Sequence, residues 1–184
     1  MSKRNLIIFK ICLSGLCIAL GLVLPFLTGQ IPEVGNMLCP MHIPVLICGF
    51  ICGWKYGLIV GFVVPLLRSF IFGMPTLYPA AISMAFELAT YGFVSGLLYS
   101  ILGKLNKNFY LNLYATLVVS MMSGRVIWGI VRYILALIDK SLIFTIDIFL
   151  SGAFLTAWPG IILQLVLIPT IIIALKRANL IRNQ

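Results

Sequence analysis

Long apolar runs, separated by short groups of basic residues, are the feature that most restricts how this chain can fold. Of its 184 residues, 62% are hydrophobic and only 9% are charged, whereas a soluble domain carries about 25% charged residues. A run of about 20 apolar residues is long enough to cross a bilayer as a helix. A membrane β-barrel would instead show ~10-residue segments of alternating polarity. The sequence therefore predicts an all-α integral membrane protein.

Six apolar segments occupy the chain and leave no room for a separate soluble domain. We predict a single six-helix membrane domain over residues 1–184, with spans at about 5–27, 40–52, 57–72, 79–102, 111–138 and 148–175. At 1.5 Å per residue the second span reaches only ~20 Å, less than the ~30 Å hydrocarbon core. We expect neighbouring helices to shield it, or its shortness to deepen a cavity.

The basic residues predict the orientation of the chain. Six spans place both termini on one side, and eight basic residues fall on that side, namely Lys3, Arg4, Lys55, Lys104, Lys107, Lys176, Arg177 and Arg182. Only Lys140 falls on the other side. By the positive-inside rule both termini are cytoplasmic, and we expect a bacterial plasma membrane. The net charge of +9 forms no single patch, so nucleic acid is not an expected partner.

Small residues recur at helical spacing in four of the spans. Glycines at 49, 53, 57 and 61 follow one another every four residues, which predicts notches on one helical face where backbones approach closely. Gly92 and Gly96 form another notch. In the first span, Gly15 and Ala19 form a further pair, which suits either packing within the protein or docking of another membrane subunit.

Charged residues inside the predicted spans indicate a functional site, because an intramembrane charge is costly. Arg68, Glu87, Arg125 and Arg132 all fall in the outer half of the membrane or near its midplane. Arg125 and Arg132 are seven residues apart and share a helical face, with Trp128 between them.

One carboxylate cannot neutralise three guanidinium groups, and two interpretations compete. In the first, Glu87 pairs with one arginine while the others snorkel outward or bind backbone carbonyls, which accounts for Arg132 and Arg68 better than for Arg125. In the second, the arginines line an outward-open pocket. Its surplus of about two positive charges favours a ligand with a carboxylate or phosphate. We favour the pocket.

Other polar and aromatic side chains are candidates for the same pocket. They are Tyr91, Trp128, Trp158, Gln164, His42 and Asn36. The aromatic residues suit either stacking walls or an interfacial belt and packing. His42 suits either a hydrogen-bonded loop position or a ligand contact.

Catalytic, cofactor and metal motifs are missing from the sequence. It has no GxxxxGK[ST] loop, so we do not expect the chain itself to hydrolyse ATP. It has no HExxH or nucleophile-elbow pattern, and its single histidine excludes a multi-histidine metal site. Four of the five cysteines lie within apolar runs, where packing is their ordinary role. We expect a protein that is not an enzyme and holds no cofactor or metal.

Several segments together resemble one family. They are PMHIPV at 40–45, CG at 48–49 and 52–53, YG at 56–57, Gly61, FGMP at 72–75, AFEL at 85–88 and GRVIWG at 124–129. This pattern resembles the substrate-binding S components of energy-coupling factor (ECF) transporters, over nearly the whole chain. The resemblance implies a six-helix protein that binds one vitamin or micronutrient from outside. It also implies association with a membrane T subunit and two ATPase subunits.

The resemblance gives two ambiguous features a role. The first span of that family often carries an Ala-xxx-Ala pair facing the T subunit, and Gly15-xxx-Ala19 is the matching position, with glycine replacing the first alanine. The loop at 28–39 corresponds to a lid over the pocket. The His-Ile-Pro element at 42–44 is most similar to pantothenate-type members, and the carboxylate of pantothenate suits the surplus of arginine.

Other functions stay open from the residues alone. Riboflavin and folate are alternative ligands, although riboflavin is uncharged and leaves the arginines unexplained. A stand-alone carrier driven by an ion gradient would use Glu87 for coupling. A membrane-embedded enzyme would need His42 or Glu87 as its base, and a purely structural membrane subunit would bind no ligand.

Overall fold

Every regular element that the structure describes is helical. The computed structural model describes residues 3–28, 37–105 and 108–178. In chain order the helices are α1 (Lys3–Val23), α2 (His42–Cys52), α3 (Trp54–Phe72), α4 (Ile82–Leu105), α5 (Phe109–Ile138), α6 (Ile146–Leu150) and α7 (Trp158–Arg177). A 3-10 turn, Leu24–Thr28, extends α1. One π-helical turn, Leu77–Ala81, precedes α4, and another, Ser151–Leu155, follows α6.

Five helical stretches are long and apolar enough to cross a membrane. They are Arg4–Leu27, Trp54–Phe72, Leu77–Leu105, Phe109–Ile138 and Ile146–Arg177. The remaining apolar helix, α2, has only 11 residues, or about 16 Å of length. The all-α membrane fold predicted from the apolar runs is therefore confirmed, with five long helices and one short one.

The short helix α2 lies inside the bundle. Ten of its 11 residues are buried, and it packs against α1, α3, α4 and α7. Val45 and Leu46 have no exposed surface at all. The expectation that neighbouring helices shield the second span is confirmed, since an 11-residue helix is hidden from lipid by the longer helices around it.

The predicted glycine face is divided between two helices. Gly53 has a φ of +94° and ends α2, so Gly49 lies on α2 while Gly57 and Gly61 lie on α3. The expectation of one continuous helical face was wrong, because a left-handed backbone conformation interrupts the helix. Close approach does occur: a Cβ added to Gly57 would collide with the carbonyl oxygen of Gly92 on α4. Glycine allows these two backbones to touch.

The last predicted span, 148–175, is two helices rather than one. After α6, the π-helical turn leads to α7, which begins at Trp158. Pro159 occupies the first turn of α7, a position that tolerates a residue without a backbone N–H. The stretch from Ile146 to Arg177 is therefore not one regular α-helix, and side chains on α6 and α7 do not share one helical register.

Candidate functional site

A cavity of about 490 Å³ lies at the end of the bundle where α2 begins. Its wall is built from the start of α2, from α3, α4 and α5, and from the two π-helical turns. Its volume lies within the ~300–1,000 Å³ typical of small-molecule sites. The elements of the bundle therefore form a space of the size of a small-molecule site.

Six of the ten predicted substrate-binding residues line this cavity. They are His42, Arg68, Glu87, Arg125, Trp128 and Arg132. These side chains come from α2, α3, α4 and α5, so residues 90 positions apart in the sequence meet in one place. The structure brings these six residues together in one cavity, and their contact with a ligand stays a prediction.

The other four predicted residues are not in the cavity wall as the structure describes it. Tyr91 is buried one turn along α4 from Glu87. Gln164 is 1% exposed in the bundle interior, whereas Trp158 is 58% exposed on its surface. Asn36, and with it most of the predicted lid at 28–39, lies outside the described residues.

Three side chains converge on a single oxygen of Glu87. Arg125 Nη1 lies 3.1 Å from Glu87 Oε1, and the Tyr91 hydroxyl donates a hydrogen bond to the same oxygen at 3.0 Å. Nε2 of His42 lies 3.4 Å from it. The Cys39 carbonyl lies 3.0 Å from Nδ1 of His42, which holds the ring in this orientation. Glu87 is therefore the centre of a buried polar network.

The arginine that pairs with Glu87 is Arg125. Besides its ion pair, Arg125 donates from Nη2 to the Cys39 sulfur at 3.5 Å. From the sequence, pairing with Glu87 or contact with backbone carbonyls explained Arg68 and Arg132 better than it explained Arg125. In the structure Arg125 is the arginine that forms the ion pair with Glu87, whereas Arg68 and Arg132 contact other groups.

Arg68 binds a backbone carbonyl rather than a carboxylate. Its Nη1 donates to the carbonyl oxygen of Leu22 at 2.6 Å, near the end of α1. A 3-10 turn would pair that carbonyl with the N–H of residue 25, and Pro25 has none. The rings of Phe26 and Phe72 lie 5.0 Å and 5.5 Å from the guanidinium carbon. Arg68 thus links α3 to α1 at the cavity wall.

Arg132 has fewer partners than the other two arginines. Its guanidinium carbon lies 5.6 Å from the centre of the Trp128 ring. Its Nε is buried and has no hydrogen-bond partner in the part of the chain that the structure describes. A buried N–H group without a partner is costly, so this group is available to donate a hydrogen bond to a ligand.

Few acidic residues are available to neutralise the arginines of the cavity wall. The chain has four of them. Glu87 binds Arg125, Asp139 accepts hydrogen bonds from the Ser141 hydroxyl and amide, and Asp147 is exposed at the start of α6. Glu33 lies outside the described residues. Within residues 3–28, 37–105 and 108–178, no carboxylate lies within ion-pair distance of Arg68 or Arg132.

Sequence reasoning missed several wall residues. They include Cys39, Met74, Thr76, Ser83, Gly152 and Thr156. Most of them lie in turns or at helix ends, where no helical periodicity assigns a face. The FGMP segment at 72–75 belongs to the pattern that resembles the family, and its Met74 and Pro75 line the cavity.

The small-residue pair on α1 faces away from the bundle. Gly15 and Ala19 are both exposed, and a Cβ added to Gly15 would have no described atom within 4 Å. Among the residues that the structure describes, nothing therefore packs against Gly15, which disfavours the interpretation of this pair as packing within the protein. Gly21 on the same helix differs, because its position meets the side chain of Val64.

The comparison with protein families gives a match over most of the chain. A family model described as the ECF transporter, substrate-specific component, matches residues 9–172. Searches of curated proteins and of solved structures gave no match. The matched range includes α2 to α6, most of α1 and α7, and every residue of the cavity wall. Members of this family are multi-pass transport subunits rather than enzymes, and each serves a small-molecule substrate with a membrane-embedded partner complex. The chain belongs to the substrate-specific components of ECF transporters.

Proposed function

We propose that this chain binds an anionic, water-soluble micronutrient in the cavity and delivers it for ATP-driven uptake by an ECF complex. The family supports the role of substrate-specific subunit. The observation that carries the choice of an anion is the presence of Arg68 and Arg132 in the cavity wall without a carboxylate partner among the described residues.

Electrostatics explains why an anionic ligand suits this cavity. A cation inside a membrane protein is stabilised by a nearby negative charge or by hydrogen bonds. Glu87 supplies one negative charge, and Arg125 already uses it. A carboxylate or phosphate on the ligand would accept two parallel hydrogen bonds from a guanidinium group, a geometry that arginine matches well. The Trp128 ring offers apolar surface beside Arg132.

Pantothenate is the named candidate within this class. The His-Ile-Pro element at 42–44 favours it, and it carries a carboxylate. Folate also fits an anionic site. Riboflavin has no anionic group, so it would leave both arginines unmatched. We place the vitamin carboxylate at Arg132, whose buried Nε has no partner in the described part of the chain.

The partner complex follows from the family and from the exposed face of α1. The chain has no phosphate-binding loop, so partner ATPase subunits supply the energy. We propose that the face around Gly15 and Ala19 docks to a membrane T subunit, because it is open and lets another backbone approach closely. Both termini lie in the cytoplasm in this proposal, at the plasma membrane of a bacterium.

Mass spectrometry of small molecules retained by the gently purified protein tests the ligand class. We expect a stoichiometric compound with a carboxylate or phosphate group, and we expect Arg132→Gln to lose it. Arg177→Gln, which changes an exposed arginine at the end of α7, is the matched control and should retain it. Retention of riboflavin or another uncharged compound would overturn the anion proposal and leave the transport role intact.

A further inference from the structure

We infer that the ligand carries two separated anionic groups, one bound at Arg68 and the other at Arg132. This inference rests on the proposed function and narrows its substrate class from any anion to a dianion, which favours a ligand with two carboxylates, such as folate, over pantothenate, which has one. It is drawn from the placement, the charge and the unused donors of these two arginines.

The two arginines approach the cavity from different sides. Arg68 lies on α3 and Arg132 on α5, and α4 packs against both of these helices. Arg68 is tied to the end of α1 through Leu22, whereas Arg132 lies against Trp128 on its own helix. A ligand that binds both must therefore span the cavity between α3 and α5, and Glu87 on α4 lines the same cavity.

The charge of the described cavity wall matches two anionic groups. Three guanidinium groups and one carboxylate line it, and the Glu87–Arg125 pair cancels one charge of each sign. A ligand with one anionic group would leave one arginine without a counter-charge. A ligand with two would neutralise both, which matters most where water is excluded and electrostatic interactions are strong.

The donors that remain on each arginine define two different sites. A guanidinium group has five N–H donors. Arg132 has its Nε–H free of partners in the described chain, so it can bind a carboxylate or phosphate through two parallel hydrogen bonds. Arg68 already donates from Nη1 to Leu22 and lies near the rings of Phe26 and Phe72. Fewer of its N–H donors are therefore left for a ligand.

A series of linear dicarboxylates, from succinate to sebacate, measures whether both arginines act together. Each acid is titrated into the full-length protein in detergent by calorimetry, beside the monocarboxylate and the diol of equal length. We expect affinity to pass through a maximum at one chain length. At that length the dicarboxylate should bind about tenfold more tightly than the monocarboxylate, the effect of one further charge-assisted hydrogen bond.

Arginine variants test whether each of the two arginines binds one carboxylate of the probe. Arg68→Gln and Arg132→Gln should each abolish the advantage of the dicarboxylate over the monocarboxylate, and Arg68→Lys, which keeps the charge, should retain part of it. Arg177→Gln is the control for a lost arginine. A thermal unfolding curve is measured for every variant to check that the variant is folded.

The outcomes separate this inference from the proposed function. If monocarboxylates bind as tightly as dicarboxylates and only Arg132→Gln weakens them, the anion site stands and the two-site inference is overturned. Affinity that rises steadily with chain length, equally for diols, also overturns it. Failure of every dicarboxylate to bind to folded protein overturns the inference, and retention of an uncharged compound then overturns the anion proposal too.

Discussion

Arg125 and Glu87 form an ion pair of 3.1 Å that joins α5 to α4 beside the cavity. The pair is buried, and the hydroxyl of Tyr91 donates to the same carboxylate oxygen. Removal of one member of a buried pair leaves the other charge uncompensated, which typically costs about 3–5 kcal/mol. The pair therefore holds two helices at fixed positions around the ligand site.

Arg125→Ala should weaken ligand binding severely and also lower thermal stability, because Glu87 would stay buried without a counter-charge. Differential scanning fluorimetry and calorimetry with the retained ligand measure the two effects. Combining Arg125→Met with Glu87→Gln should restore stability above that of either single variant. Unchanged affinity in a folded Arg125→Ala protein would remove Arg125 from the site.

Arg68→Met should loosen the contact between α3 and the end of α1, since the Leu22 carbonyl would lose a donor. We expect a loss of about 1–3 kcal/mol, typical of a buried acceptor left without its partner. Arg68→Lys should recover part of this loss. Hydrogen exchange at residues 22–27 reports the change locally, and unaltered exchange there would contradict the assigned role.

Gly57→Ala should destabilise the protein by roughly 1–3 kcal/mol, the usual effect of overpacking. The added methyl group would meet the backbone carbonyl of Gly92, which has little freedom to move within α4. Gly15→Ala is the matched control, because its Cβ has no described atom within 4 Å, and it should be neutral or slightly stabilising. Equal thermal unfolding of the two variants would argue against close packing of α3 on α4.

Ala19→Trp should leave ligand binding by the isolated protein unchanged and block uptake by the assembled complex, because a bulky ring on the exposed face of α1 obstructs docking. Val126→Trp serves as the control, since Val126 is 51% exposed on α5, away from α1. Uptake of labelled ligand into cells or proteoliposomes, measured beside binding, separates the effects. Parallel loss of binding and uptake would indicate misfolding instead.

The sequence predicted the helical membrane fold and six of the cavity residues, because apolar length and buried charge do not depend on how helices align. It did not predict which arginine forms the ion pair with Glu87. Arg125 and Arg132 share one face of α5, and the choice between them depends on the height of α4 relative to α5. Close packing of Gly124 on α5 against α4, where an added Cβ would lie 3.0 Å from the Glu87 carbonyl oxygen, helps to set that height.

The positions of Trp158 and Gln164 could not be derived for a different reason. Both lie on α7, and the chain between α6 and α7 passes through a π-helical turn. A change in residues per turn rotates everything that follows relative to an ideal helix. Extrapolating one regular helix over 148–175 therefore assigns the wrong faces, even though the hydrophobic length of the segment is predicted well.

The 11 residues of α2 extend about 16 Å, roughly half the ~30 Å thickness of the hydrocarbon core. His42, at the start of this helix, lines the cavity. The ligand space therefore lies where further turns of α2 would be if the helix crossed the whole membrane. One more turn before His42 would shorten that space by about 5.4 Å. Insertion or deletion in a single backbone segment can thus adapt this architecture to ligands of different length while every arginine stays in place.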